Sequence, residues 1–289
     1  MTRLKKHFVF KVLQRLAPCL LLLPGIIVAQ EAPYDIEDIE VSYIYAAIMG
    51  TGTYKIDERR ITMLRAPFKW TQQEMTETEA GYVWHMPVVI GHDSVKGSDW
   101  FEELIPDELI TVTVLPGFEY QMPVSPDWAI KPFGNIGYTH DFVSDEDVIM
   151  GVVGVSSLAR FYLGEDKDWE LRWGNKIRFA AEYQHKSESE TSFGVLETGI
   201  DVRRGLGYKF AGREIDMGGY YRFQHFLPEW NVSETPDYHA DIANVHEFGI
   251  SIGLKRPRKI FGVTFSRVRA GYKIGDDIRG FSFGGEFPF

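Results

Sequence analysis

Residues 171–186 read LRWGNKIRFAAEYQHK, with two sets of side chains interleaved. Leu171, Trp173, Ile177, Phe179, Ala181 and Tyr183 alternate with Arg172, Gly174, Lys176, Arg178, Ala180, Glu182, Gln184 and Lys186. In an extended strand successive side chains point to opposite faces, so this segment carries one apolar, aromatic face and one charged face. A helix would scatter both sets around its axis.

The same period of two recurs along the chain. It appears at Tyr82, Trp84, Met86, Val88 and Ile90; at Trp128, Ile130, Ile136 and Tyr138; and at Ile215, Met217, Tyr221 and Phe223. Phe248, Ile250, Ile252 and Leu254 repeat it, separated by Gly249, Ser251 and Gly253. Runs bounded by turn residues predict twelve strands, near 41–56, 59–69, 79–92, 108–122, 128–140, 148–163, 170–187, 192–205, 207–226, 245–256, 260–274 and 279–289. In the eleventh, Phe261, Val263 and Phe265 give way to Val268, Ala270 and Tyr272, a change of parity that a bulge would produce. Segments 93–107, 141–147, 186–191 and 227–244 are long or acidic, whereas 123–127, 164–169 and 256–259 are shorter. Long connections alternating with short turns suit a membrane barrel. The polar stretch 71–80 is the exception, being longer than a short turn requires.

The chain has 289 residues, 44% of them hydrophobic and 25% charged, with 28 Gly, one Cys and a formal net charge of −10. These figures suit one large domain or two small ones and exclude a disordered, collagenous or disulfide-stapled chain. The acidic balance argues against nucleic-acid binding, which needs a concentrated excess of Lys and Arg. Arg3, Lys5, Lys6, Lys11 and Arg15 stand without an acid before an apolar run at 16–28 that ends in Ala29-Gln30. A spanning helix needs about 20 apolar residues; this run has 13, with Pro18, Pro24 and Gly25 inside it. Residues 1–29 therefore read as an export signal cleaved after Ala29. Cys19 precedes the apolar core rather than following it, which disfavours lipidation. Removal of the signal takes the five basic residues with it, leaving 26 Lys+Arg against 41 Asp+Glu, a net charge of −15 and no cysteine. Residues 30–40 are expected to form a short periplasmic segment and 41–289 the barrel.

Alternation alone does not say which way the apolar face looks. Residues of both signs fall in mid-strand, and Arg172, Lys176, Arg178, Glu182, Arg222, Gln224 and Glu247 are assigned to a polar lumen. Aromatic residues such as Tyr43, Tyr45, Trp70, Trp128, Trp169 and Tyr272 lie near strand ends, the level of lipid headgroups. A mean hydropathy near zero is what averaging a lipid-facing row with a lumen-facing row would give. The expected fold is all-β, a transmembrane antiparallel up-and-down barrel of about twelve strands.

The last residues read Ser282-Phe283-Gly284-Gly285-Glu286-Phe287-Pro288-Phe289. This resembles the C-terminal assembly signal of bacterial outer-membrane barrels, matched in place by Ser282, Gly284, Phe287 and Phe289. Pro288 departs from the pattern by removing a ladder donor. With twelve expected strands, the chain also resembles the translocator barrel of autotransporters, here solitary. Only residues 30–40 precede the first expected strand, too few for a secreted domain or a helix threading the pore. The resemblance implies an outer-membrane location, contact with outer-membrane lipids and lipopolysaccharide, and recognition by the barrel-assembly machinery. It implies a non-enzymatic role, as a narrow pore or a structural or surface element, with no cofactor and no metal.

Two other function classes stand beside it. His140 and Ser144 at a hairpin mouth suggest a Ser–His hydrolase resembling outer-membrane phospholipases, but the Asn-Gly run of that class is missing. His239, Asp241 and His246, or His92 with Asp93, are candidate metal ligands without the spacing of a fixed site. A soluble periplasmic barrel or sandwich holding an apolar ligand would show the same alternation with the apolar face turned inward.

Overall fold

The computed structural model describes residues 40–56, 59–94, 111–166, 168–210, 212–235, 238–260 and 263–289. Twelve antiparallel strands build a closed barrel. They are β1 (Thr51–Ile56), β2 (Arg59–Gln73), β3 (Gly81–Ser94), β4 (Thr111–Val114 and Gly117–Ser125), β5 (Trp128–Asp141) and β6 (Glu146–Leu163). The remainder are β7 (Trp169–Gln184), β8 (Glu190–Phe210), β9 (Arg213–Thr235), β10 (Tyr238–Ile260), β11 (Val263–Gly275) and β12 (Ile278–Gly284). Each strand pairs with the next in sequence, and β12 pairs with β1 to close the wall. β4 is broken at Leu115-Pro116, where Pro116 has no N–H to give to the ladder.

The apolar rows face outward. Ile136 is 72% exposed, Ile250 67% and Ile177 63%, and Trp84, Phe179, Phe248 and Phe281 share that surface. Arg178, Glu182, Glu197, Arg222 and Glu247, by contrast, are buried inside. The barrel is thus inside out relative to a water-soluble one, and the apolar-ligand reading, which needs a greasy lumen and a polar exterior, does not fit.

The bulge expected in the eleventh strand falls instead in β10; Phe261 and the side chains of Val263 and Phe265 lie outside the described residues. The β10–β11 register jumps between Gly253↔Arg267 and Arg258↔Phe265, so β10 contributes the extra residues. Segment 227–244, expected as a loop, is instead paired: β9 and β10 continue as a ladder to Thr235↔Tyr238. Register shifts between His225 and Trp230 and between Asn231 and Glu234 break the alternation there, which hides the strands from a period-two reading. At the other end of the barrel, β2 runs on to Gln73, and Gln73 Nε2 donates to the Ala80 carbonyl at 2.8 Å across the turn.

The first and last expected strands are cut short. β1 begins at Thr51 rather than near residue 41, and β12 stops at Gly284 rather than running to 289. Glu40 and Val41 pair with Glu234 and Ser233 near the tip of the β9–β10 hairpin, the loop end of the barrel, and not at the end of the short turns. From there residues 42–49 descend through the lumen, all buried, with a single helical turn α1 (Tyr45–Ile48). Ala46 and Ala47 favour that turn. The lumen supplies its cap: Arg65 Nη1 donates to the Ala46 and Ala47 carbonyls at 3.0 and 3.4 Å, and Arg178 Nη2 to Ile48 O at 3.4 Å. Guanidiniums at a helix C-terminus meet carbonyls that have no intrahelical partner. A lumen-threading turn is therefore present, drawn from residues expected in the first strand.

Candidate functional site

The lumen is where the chain concentrates its chemistry. Inward positions of β7 to β11 carry alternating charges that meet across neighbouring strands. Arg178 Nε lies 2.8 Å from Glu197 Oε1, and Arg222 Nη1 lies 3.7 Å from Glu197 Oε2. Arg222 Nη2 lies 2.6 Å from Glu247 Oε2, and Arg269 Nη1 lies 3.6 Å from Glu247 Oε1. Glu247, 1% exposed, also accepts from Tyr220 Oη at 2.8 Å and Ser282 Oγ at 2.7 Å. Lys273 faces Glu247 in register and then reaches past Gly280, which has no side chain to obstruct it, to lie 4.9 Å from the Tyr54 ring centre. Nearer the turn end Arg203 pairs with Asp201 at 2.6 Å, and Arg267 pairs with Asp216.

Of the residues assigned to the lumen, Arg178, Glu182, Arg222, Gln224 and Glu247 are buried there, and Arg172 and Lys176 are half-buried. Glu182 accepts from the Tyr43 amide at 3.2 Å, Gln224 from Arg222 Nη2 at 3.0 Å, and Arg172 Nε donates to Glu170 at 2.6 Å. The sequence reading missed Glu197, Asp201 and Arg203. Their strand, β8, has Phe193 and Val195 on its inner row and Thr198 and Arg204 on its outer row, so neither face looks uniform. It also missed Lys273, which is buried on the inner row of β11 with Arg267.

The C-terminal tail is also a lumen element. Ser282 and Gly284 end β12, with Ser282 inward on Glu247 and Gly284 against the Arg269 guanidinium. Beyond them the chain leaves the sheet, and Phe287 and Phe289 are buried with Tyr220 in a cluster of their own. Their rings lie 4.9 Å apart. A Cβ at Gly174 would stand 2.2 Å from the Phe289 ring, and one at Gly199 would meet both rings at 3.0 Å, so the wall has sockets only glycine can provide. Lys131 Nζ donates to Phe289 O at 3.0 Å, Lys176 Nζ donates to Pro288 O, and the Lys176 ammonium sits 5.2 Å from the Phe289 ring centre. Glu286 lies 3.5 Å from Arg172 and 3.4 Å from Arg203. Burial alone would raise its carboxyl pKa, but the Ser266 hydroxyl and the Arg203, Arg172 and Arg267 guanidiniums outweigh that and hold it below the usual value.

His140 and Ser144 are not brought together as a pair. His140 Nδ1 bonds Asp147 Oδ1 at 2.8 Å, while the Ser144 hydroxyl meets Tyr43 Oη at 3.3 Å, and Tyr43 Oη donates to Asp141 at 2.8 Å. A serine nucleophile needs its base within hydrogen-bond reach. His246 Nδ1 is engaged with Tyr221 Oη at 2.9 Å on the outer face, and the side chains of His239, Asp241 and Asp93 lie outside the described residues.

Among solved structures, the β domain of the Bordetella autotransporter BrkA superposes with a TM-score of 0.51, covering 81% of this chain and 93% of that one at 9% identity. The fold is similar to an autotransporter β domain. A looser superposition, TM-score 0.38 at 11% identity, relates the chain to the NanC porin over 82% of this chain and 97% of that one. No family model matches the sequence, and no curated protein matches it.

Proposed function

We propose that this protein is an integral, non-enzymatic barrel of a bacterial outer membrane whose lumen is closed by its own chain. The observation that carries the reading is the inversion of its faces, with ion pairs buried inside and isoleucine, phenylalanine and tryptophan side chains exposed outside. Only a lipid solvent makes that distribution favourable, and closure of the wall is the way a sheet satisfies its backbone there. Residues 1–29 serve as the removable export signal. The outer face meets lipid and lipopolysaccharide, and the C-terminal strand with Ser282, Gly284, Phe287 and Phe289 is what the barrel-assembly machinery would engage. The loop end, with the long β9–β10 hairpin, faces the exterior.

The filled lumen favours a structural or surface role over an open pore. Residues 42–49 and the 285–289 tail occupy the space a solute would need. The test is fractionation with outer membranes, heat-modifiable migration of unboiled protein, and planar-bilayer recording. Membrane-associated, heat-modifiable and mostly silent protein is the expected result. Recovery in the soluble periplasmic fraction would overturn the reading.

A further inference from the structure

A membrane strand needs about 9–11 residues to cross the hydrocarbon, yet β1 has six and β12 seven. Their long neighbours are left with unpaired edges beside them. β2 pairs with β1 only as far as Gly52↔Met63, and β11 pairs with β12 only over Arg269–Ile274. Arg65 still meets β1, its N–H donating to the Thr51 hydroxyl at 2.9 Å; beyond it, residues 66–73 of β2 and 264–268 of β11 border a notch in the turn-end half of the wall. In hydrocarbon, edge N–H and C=O groups find no water to replace the missing ladder.

The register already established says which residues would fill the notch. Continuing Gly52↔Met63 sets Gly50 opposite Arg65, Met49 opposite Ala66 and Ser42 opposite Gln73, so the eight residues 42–49 match the eight open positions 66–73 of β2. Continuing Arg269↔Gly284 sets Gly285, Glu286, Phe287, Pro288 and Phe289 opposite Val268, Arg267, Ser266, Phe265 and Thr264. The two extensions also meet each other, because Phe283↔Thr51 continues to Phe287↔Ala47 and Phe289↔Tyr45.

Side-chain parity fits as well. Phe287 and Phe289 would prolong the outward row of Phe281 and Phe283, Glu286 would turn inward with Ser282, and Tyr45 would stand beside Trp70 on the outer face. β1 would lengthen to 15 residues and β12 to twelve, enough to cross.

The same two segments are equally provided for inside. The glycine sockets at Gly174 and Gly199 receive the two rings, and Arg65 and Arg178 cap the helical turn. We infer that residues 42–50 and 285–289 exchange between two seats: the lumen, where they plug the barrel, leave the notch and keep Glu40–Val41 paired with β9, and the wall, where that pairing is released and they seal the seam and empty the lumen. This rests on the membrane-barrel reading above. The partner that the open strand edges fit is the chain's own plug.

Disulfide trapping in the full chain, with Cys19→Ser as background, tests it. Thr264→Cys with Phe289→Cys reports the wall seat, and Gly174→Cys with Phe289→Cys the lumen seat. Both pairs are expected to cross-link in outer membranes. In planar bilayers the oxidised wall pair should conduct and lose that current on reduction, while the oxidised lumen pair stays silent. Cross-linking of the lumen pair alone, or a wall cross-link that leaves the current unchanged, overturns the exchange. Where the first wall variant does not fold, Ala47→Cys with Phe287→Cys reports the same wall seat without touching β11: a cross-link that conducts supports the exchange, and a missing or silent one overturns it. Absence of heat-modifiable migration in the parent chain would instead count against the membrane reading, separately from the cross-linking pattern.

Discussion

From β5 to β10 the strands run 14 to 23 residues and pair with both neighbours over most of their length; at the seam, β1 and β12 manage six and seven. The long side holds most of the buried ion pairs, and the seam side is where the chain turns inward to fill the lumen. Wall and filling therefore draw on one supply of residues. Where the ladder is complete, the interior is closed by charged side chains reaching across strands. Where it is incomplete, backbone that the ladder lacks is found in the lumen, hydrogen-bonded to Arg65, Arg178, Lys131 and Lys176 instead.

Substitutions on the two sides should separate these modes of support. The largest effect is expected for Glu247→Ala on the long side, which leaves Arg222 and Arg269 without their shared carboxylate. Breaking a buried pair from one side costs about 3–5 kcal/mol, to be read as a lower urea midpoint for loss of heat-modifiable migration. An unchanged midpoint would mean that backbone pairing alone holds the long wall. Next comes Ile250→Arg on the outer face, expected to destabilise by about 2–4 kcal/mol if it sits near the bilayer midplane and scored by folding yield into lipid vesicles. Yield equal to the parent's would place β10 away from lipid.

Gly174→Val, across the lumen from the seam, should cost about 1–3 kcal/mol by overpacking the Phe289 socket. Labelling of a Pro288→Cys reporter in the Cys19→Ser background, with the Phe289 ring kept, should show whether the tail has left. Protection equal to that in the Gly174 parent would remove the socket's role. The smallest effect is acid-dependent. Because the Glu286 carboxyl titrates below its ordinary value, its contribution is complete above about pH 4.3 and fades as pH falls through the depressed value. Planar-bilayer current should therefore rise as pH falls through that depressed value in the parent, and Glu286→Gln should lack this acid-dependent rise.

Much of the wall was legible in the sequence because lipid outside and charge inside impose opposite demands on alternate residues, as at Trp173 and Arg178. β8 was harder, since Phe193 and Val195 pack against the lumen's apolar filling and so share a row with Glu197. The β9–β10 extension was illegible because its register shifts scramble a period of two. Residues 42–50 and 285–289 were expected in strands for a sound local reason, as their register shows. Nothing local reveals that Arg65, Arg178 and two glycines from other strands offer them a second place.

The charged row inside the long wall has a mechanical consequence. Arg178, Glu197, Arg222, Glu247 and Arg269 come from five adjacent strands and link one to the next around the circumference. Lys273 carries the chain of contacts past β12 to Tyr54 on β1. Backbone ladders resist the sliding of neighbouring strands but bend easily about their own axes, so a barrel with an empty interior flattens under lateral pressure. A row of opposite charges from β7 to β11, continued to β1 by Lys273, braces that arc of the wall from within and holds its curvature.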